Sequence, residues 1–294
     1  MNDIATAGAT AANASTVEAQ RAVLEQRFSE RVVALPSGAR VAVRECGSPD
    51  APVIVLLHGI SSGAASWLHT ALLLAATHRV IAWDAPGYGQ STPLEEAAPV
   101  ASDYARSLAE LLPALDVRRC VLVGHSLGAL MACAYSASAD AAAVQRLVLI
   151  SPARGYGEAG QQEARARVRR ERLEALRSLG VAGLAARIDQ RLLSAQASQA
   201  AREWVRWNTA RLHPGGYEQA VAMLCDSELA SVPPAVPVEV HCGEADVVTT
   251  PQACAQAAQK LGASFQTIAG AGHASPVEQP EAVAALLTRA TTSS

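Results

Sequence analysis

Short, uninterrupted apolar runs separated by amphipathic stretches fill the middle of the chain. Four runs contain no polar residue, as strands buried on both faces of a sheet do: 53–57, 80–83, 121–123 and 147–150. Helical patterns over 65–76, 101–115 and 127–137 separate them. This alternation predicts an α/β fold, with a mostly parallel sheet flanked by helices on both sides.

The pattern changes on either side of this block. Strands predicted at 31–35 and 40–45 flank Pro36-Ser37-Gly38, which suits a tight turn and predicts an antiparallel hairpin at a sheet edge. Beyond Ile150 the strand signal almost disappears, and the chain becomes rich in Ala, Arg, Leu and Glu. The sheet pattern then resumes with a strand at 236–240, a helix at 251–261, a strand at 264–268 and a helix at 277–288.

These changes divide the chain into four parts. We predict a mobile N-terminal tail at 1–28, the first half of an α/β core at 29–152, a helical cap at 153–231 and the second half of the core at 232–294. The cap is thus expected to be an insertion into a sheet that continues beyond it.

The composition and charge of the chain argue against several classes of function. A formal net charge of −3 argues against a nucleic-acid partner, and no apolar run approaches a membrane span. The first twenty residues do not resemble a secretory signal, and the six cysteines lack C-x-x-C spacing, so a reduced, cytoplasmic location is expected. Seven scattered histidines predict neither a metal site nor a cofactor. The expected partner is a small-molecule substrate, and a homodimer is left open.

The pentapeptide Gly124-His125-Ser126-Leu127-Gly128 lies where a buried run ends and a helical pattern begins. A serine on such a sharp strand-to-helix turn needs small residues two positions before and after it, because the backbone packs closely there. Its hydroxyl would face the unpaired N–H groups of a helix N-terminus. Taken alone, the motif fits a glycine-bracketed helix cap equally well.

A serine nucleophile needs a base, and the base needs a third group that orients it. Asp246 follows the strand predicted at 236–240, and His273 follows the last predicted strand. Because reactive groups collect at the carboxyl ends of parallel strands, Ser126, Asp246 and His273 are expected to converge. Glu244 and Asp226 are the alternatives for the acidic member.

Five ordered motifs resemble the α/β-hydrolase family over nearly all of residues 30–290: His58-Gly59, Asp84-Ala85-Pro86-Gly87-Tyr88-Gly89-Gln90-Ser91, the Gly124–Gly128 turn, Gly243–Asp246, and Gly272-His273 followed by Pro276-Val277-Glu278. The resemblance implies an oxyanion hole made by the backbone N–H groups of Ile60 and Leu127. It also implies that His58 supports the oxyanion loop, and that the segment from Asp84 to Ser91 frames the site.

Within this family, the residue types favour an acyl-enzyme reaction. Haloalkane dehalogenases and epoxide hydrolases carry aspartate at the position of Ser126. Hydrolases that cleave carbon–carbon bonds of ring-cleavage products usually carry asparagine before the serine and tryptophan after the histidine, where this chain has His125 and Ala274. The chain is more similar to serine esterases and enol-lactonases. Carbon–carbon hydrolysis, and a catalytically silent receptor on the same fold, are the alternatives.

The predicted cap supplies the candidates for substrate contact. An arginine-rich helix over 163–177 is expected to be mostly a solvated face with ion pairs, although Arg154 or one of its arginines could bind a substrate carboxylate. His125, Trp204 and Trp207 are further candidates for the pocket wall, together with Tyr217.

Overall fold

A computed structural model describes residues 16–229 and 231–292. In this part of the chain, eight strands form one sheet in the order β1-β2-β4-β3-β5-β6-β7-β8. They are β1 (Glu30–Ala34), β2 (Arg40–Cys46), β3 (Val53–Leu57), β4 (Arg79–Trp83), β5 (Cys120–His125), β6 (Val144–Ile150), β7 (Val238–Gly243) and β8 (Ser264–Ile268). Strand β2 pairs antiparallel with both β1 and β4, and every other pairing is parallel. The predicted α/β architecture and its edge hairpin are confirmed.

Helices cover both faces of the sheet because alternate side chains of each strand point to opposite sides. In β3, Val55 and Leu57 join one apolar cluster, whereas Ile54 and Leu56 join another. The helices are α1 (Val17–Arg27), α2 (Leu68–Leu74), α3 (Ala101–Ala114), α4 (Gly128–Ser136), α5 (Gln162–Ala185), α6 (Asp189–Leu192), α7 (Gln199–Thr209), α8 (Pro214–Asp226), α9 (Pro251–Leu261), α10 (Ser275–Glu278) and α11 (Pro280–Thr292). Helices α3, α4 and α9 contribute to the first cluster, and α1, α2 and α11 to the second.

Helices α5 to α8 lie between β6 and β7, and these two strands nevertheless pair directly with each other. Helix α5 is kinked at Gly180, whose φ of 62° is a conformation that glycine adopts without steric penalty. The backbone of α8 approaches the 84–91 loop so closely that a Cβ on Gly216 would lie 1.9 Å from the Gly87 carbonyl oxygen. We refer to helices α5–α8 as the cap.

The predicted N-terminal tail is wrong for residues 17–28. Thr16 caps helix α1 by accepting a hydrogen bond from the Ala19 N–H, and Leu24 and Phe28 are fully buried. Burial of these two side chains against the sheet and α7 offsets the conformational entropy lost in ordering the segment. The remainder of the predicted tail, residues 1–15, lies outside the described residues.

None of the helices described in residues 16–229 and 231–292 is both long and apolar enough to cross a bilayer. The six cysteines are all free thiols, and five of them are buried.

Candidate active site

The turn between β5 and α4 holds Ser126 in a strained conformation. Its φ is 52°, in the left-handed region that non-glycine residues rarely occupy. The flanking glycines are needed for close packing: a Cβ on Gly124 would lie 2.6 Å from the Ala129 Cα, and one on Gly128 would lie 2.5 Å from the Leu57 carbonyl oxygen. The hydrogen bond from the Ser126 N–H to the Ile150 carbonyl, at 3.0 Å, ties the turn to β6.

The sheet brings together three side chains that are far apart in the sequence. The Nε2 atom of His273 lies 2.9 Å from the Ser126 Oγ, and its Nδ1 atom lies 2.8 Å from the Asp246 Oδ2. All three residues are buried. Because a carboxylate only accepts, Nδ1 carries the hydrogen, which leaves the Nε2 lone pair for the serine hydroxyl. This is the geometry that a serine nucleophile, its base and an orienting acid require.

Asp246 is held as a carboxylate by several donors. Burial by itself would raise the pKa of Asp246, but the hydrogen bond and charge of His273, together with other donors, lower it below its ordinary value. The N–H groups of Val248 and Thr249 donate to Oδ1 at 2.7 and 3.0 Å, and the Thr249 hydroxyl lies 2.9 Å from Oδ2. Asp246 is therefore ionised and fixed beside the imidazole.

The alternatives for the acidic member lie elsewhere. Glu244 accepts a hydrogen bond from the Gly270 N–H at 3.1 Å. Asp226 pairs with Arg165 and Arg169 within the cap. Neither carboxylate contacts His273.

His58 orients the loop that carries Ile60. Its Nδ1 donates to the Gly59 carbonyl at 2.8 Å, and its Nε2 accepts from the Ala85 N–H at 3.0 Å. Burial lowers the pKa of His58, although the charge of Asp84 acts in the opposite direction, so the ring is neutral. The Gly59 carbonyl and the Ile60 N–H share one planar trans peptide, so fixing the carbonyl points the N–H the opposite way.

Tyr88 fixes the next peptide of the same loop, since its hydroxyl donates to the Ile60 carbonyl at 2.8 Å. Both Ile60 and Leu127 line the cavity onto which Ser126 opens. Buried backbone donors held in this way are the arrangement that stabilises a negative oxygen.

His125 packs behind the imidazole of His273. Its Nε2 donates to the His273 carbonyl at 2.8 Å, and the two ring centroids are 5.1 Å apart. Burial, and then the proximity of His273, lowers the pKa of His125 to about 3. His125 therefore remains neutral near pH 7, and it lines a cavity beside Ser126.

Two adjoining cavities open onto Ser126. The larger, of about 160 Å³, also contains Ile60 and Leu127, and the smaller, of about 50 Å³, contains His273. Arg154 lies at the exposed edge of the larger cavity and donates to Gln256 at 3.3 Å. The larger cavity is below the range of common ligand pockets, so it suits a small substrate.

The prediction that Trp204 and Trp207 line this pocket is wrong. Trp204 is fully buried in the apolar cluster and stacks on Trp207, with ring centroids 4.6 Å apart. Arg211 covers the Trp207 ring at 4.6 Å. Both indoles therefore help to pack α7 against the core. The sequence pattern of α7 could not distinguish a helix face that packs on the core from one that lines a cavity.

The structure adds two residues that sequence reasoning missed. The Glu278 carboxylate accepts from the Gly272 N–H at 2.8 Å and from the Ser194 N–H at 3.1 Å, so it joins the His273 loop to the cap. Arg191, on α6, lines both cavities. The sequence around Arg191 carried no signal that could have found it, whereas Glu278 lies inside a motif already noted.

Comparison with known proteins places this architecture in a family. A model of the alpha/beta hydrolase family matches residues 54–286, which is most of the chain. The chain belongs to the α/β-hydrolase family. The resemblance found in the sequence motifs is confirmed.

Curated relatives match this α/β hydrolase over short stretches. An uncharacterized protein of Mycobacterium tuberculosis, Rv2715, is 40% identical over 114 residues, which cover 39% of this chain and 32% of that protein. A putative carbamate hydrolase, RutD, of Variovorax paradoxus is 37% identical over 106 residues, which cover 36% of this chain and 40% of the relative. The chain thus aligns with well under half the length of these relatives.

Solved structures share the fold over nearly the whole chain. An enol-lactonase from Burkholderia xenovorans superposes with a TM-score of 0.78 at 22% identity, and covers 90% of this α/β hydrolase and 100% of its own chain. A thermophilic esterase from Thermogutta terrifontis gives 0.77 at 24% identity, and covers 88% and 97%.

Proposed function

We propose that this α/β hydrolase is a serine hydrolase that cleaves a small carboxylic ester or lactone through an acyl-enzyme. The proposal rests on one observation: the buried His273 imidazole lies 2.9 Å from the Ser126 Oγ and 2.8 Å from the Asp246 carboxylate. Both distances lie within the reach that proton transfer needs.

In the proposed reaction, the Ser126 Oγ attacks the substrate carbonyl carbon while the His273 Nε2 takes the hydroxyl proton. The negative charge that develops on the carbonyl oxygen is stabilised by the N–H groups of Ile60 and Leu127. His273 then gives its proton to the leaving alkoxide, and an acyl group remains on Ser126. Water then attacks the acyl carbon while His273 takes its proton, the bond to the Ser126 Oγ breaks, and His273 returns the proton to Oγ as the acid leaves. Asp246 stabilises the imidazolium in both halves.

The names of the relatives support an ester or lactone more than other bonds. Two solved structures are called an esterase and an enol-lactonase. A further curated relative is called an epoxide hydrolase, a class that uses aspartate where this chain has Ser126. That reaction is therefore not assigned to this chain.

The test combines turnover with covalent labelling. Wild-type protein is expected to hydrolyse p-nitrophenyl esters of short acyl chains, and Ser126→Ala is expected to lose about 10⁴-fold or more in kcat. A fluorophosphonate probe should label the wild type on the peptide that contains Ser126. Equal rates for the two proteins, or an unlabelled serine, would refute the proposal and favour a silent small-molecule receptor.

A further inference from the structure

Two arginines of the cap line the cavities that open onto the nucleophile. Arg172 on α5 and Arg191 on α6 both line the larger cavity with Ser126, and both also line the smaller cavity with His273. Among the described residues that line the two cavities there is no Asp or Glu. The permanently charged side chains that line the two cavities are therefore all arginines.

These two arginines have no carboxylate partner, unlike four other arginines of α5. On α5, Arg165 and Arg169 pair with Asp226, Arg167 with Glu171, and Arg177 with Glu174. Arg172 instead lies 3.4 Å from the Tyr217 hydroxyl, a neutral group. Within residues 16–229 and 231–292, neither Arg172 nor Arg191 has an ion pair with a carboxylate. A guanidinium fork facing a cavity without a counter-charge is suited to a carboxylate.

The position of Arg191 is fixed by backbone contacts to the catalytic loop. The carbonyl of Leu192 accepts from the N–H of Ala274 at 2.8 Å, so the residues that follow Arg191 and His273 are joined directly. A Cβ on Gly272 would lie 2.6 Å from the Ser194 backbone nitrogen, which shows how closely the two segments pack. Arg191 therefore enters the site from a segment held against the His273 loop.

The electrostatic state of Arg191 agrees with an anion site. Burial lowers the pKa of the Arg191 guanidinium, and the charge of Arg172 lowers it further. Two like charges near one cavity repel each other, and a bound anion would relieve that repulsion.

We propose that Arg172 and Arg191 bind a carboxylate of the substrate, so that this hydrolase prefers esters or lactones that carry a free carboxylate. This inference rests on the proposed function. Unlike the proposed function, this inference names a substrate class, and an experiment can refute the inference without refuting the proposed function.

The turnover experiment compares mono-p-nitrophenyl adipate with its methyl ester, which lacks the free carboxylate, with rates corrected for Ser126→Ala. Wild type is expected to show at least about tenfold higher kcat/KM for the acid, and Arg172→Met or Arg191→Met should lose about tenfold or more on the acid and less than about threefold on the methyl ester. Arg177→Met, on the same helix but paired with Glu174, is the matched control and should change neither. Preference for the methyl ester, or an equal loss on both esters, would overturn the inference.

A binding experiment tests the carboxylate assignment even if neither ester is hydrolysed. Ser126→Ala is titrated with adipate and, separately, with inorganic phosphate by calorimetry. Adipate should bind, and Arg172→Met or Arg191→Met in the same background should weaken that binding about tenfold or more. No adipate binding, or binding of phosphate alone, would overturn the carboxylate assignment. Turnover of the methyl ester without adipate binding would leave the serine hydrolase standing and remove this inference.

Discussion

Replacing His58 with alanine tests how the loop that carries Ile60, a proposed oxyanion donor, is held. The change removes the donor to the Gly59 carbonyl and the acceptor of the Ala85 N–H, both in a buried region. A buried backbone group that loses its partner costs about 1–3 kcal/mol, so the two groups together should lower the free energy of unfolding by about 2–6 kcal/mol. Water entering the space left by the ring would bring the loss toward the lower value.

The same change should impair catalysis in a specific way. Without the His58 contact, the peptide that contains the Ile60 N–H loses a bond that orients it, and loss of one proposed oxyanion donor should lower kcat by about 10²–10³. Because that donor acts on charge that develops only in the transition state, KM should change little.

The assay measures kcat and KM with p-nitrophenyl butyrate, and stability by urea unfolding at 25 °C. His78→Ala is the matched control, since His78 is also buried and also makes two side-chain contacts, to Thr77 and Thr291, both at 2.8 Å. The control should lose stability with kcat unchanged. A His58→Ala enzyme whose kcat stays within about threefold of the wild type would show that the loop is oriented by other contacts, such as the Tyr88 hydroxyl.

Two further predictions concern stability. Because burial keeps His125 neutral down to about pH 3 while an unfolded histidine protonates near pH 6.5, the unfolded chain binds more protons in that window. Stability should therefore fall as pH falls below 6.5, and His125→Asn should reduce the slope by up to about 1.4 kcal/mol per pH unit in urea titrations, whereas an unchanged slope would contradict the assignment. Phe28→Ala should cost about 3–5 kcal/mol because this ring is fully buried, whereas Val32→Ala, at 40% exposure, should change stability by less than about 0.5 kcal/mol. Equal losses for Phe28→Ala and Val32→Ala in thermal unfolding would show that the Phe28 ring, directly after α1, is not part of the core.

The elements that the sequence predicted are those whose signals are local. The uninterrupted run 53–57 is strand β3 with the same bounds, and the glycines around Ser126 predicted a turn that the close approaches of Gly124 and Gly128 explain. Each of these signals depends on neighbouring residues: a buried strand needs consecutive apolar side chains, and a tight turn needs small ones.

Helix α1 is an element that the local sequence pattern did not predict. Its residues are mostly polar, and the burial of Leu24 and Phe28 against distant elements stabilises it. The positions of Trp204 and Trp207 could not be predicted locally either, because an aromatic ring can pack in a core or line a pocket. The placement of α7 puts both rings against the apolar core.

By itself, the sequence determined which residue types could supply a nucleophile, a base and an acid, and that each follows its own strand in the order Ser, Asp, His along the chain. Only the tertiary structure decided that Asp246 rather than Glu244 or Asp226 meets His273. It also decided that Arg172 and Arg191 line the cavity without a carboxylate partner, while Arg169 pairs with Asp226. The physical reason is that residue type and spacing fix local conformation, whereas a side chain's partner depends on the relative placement of elements far apart in the chain.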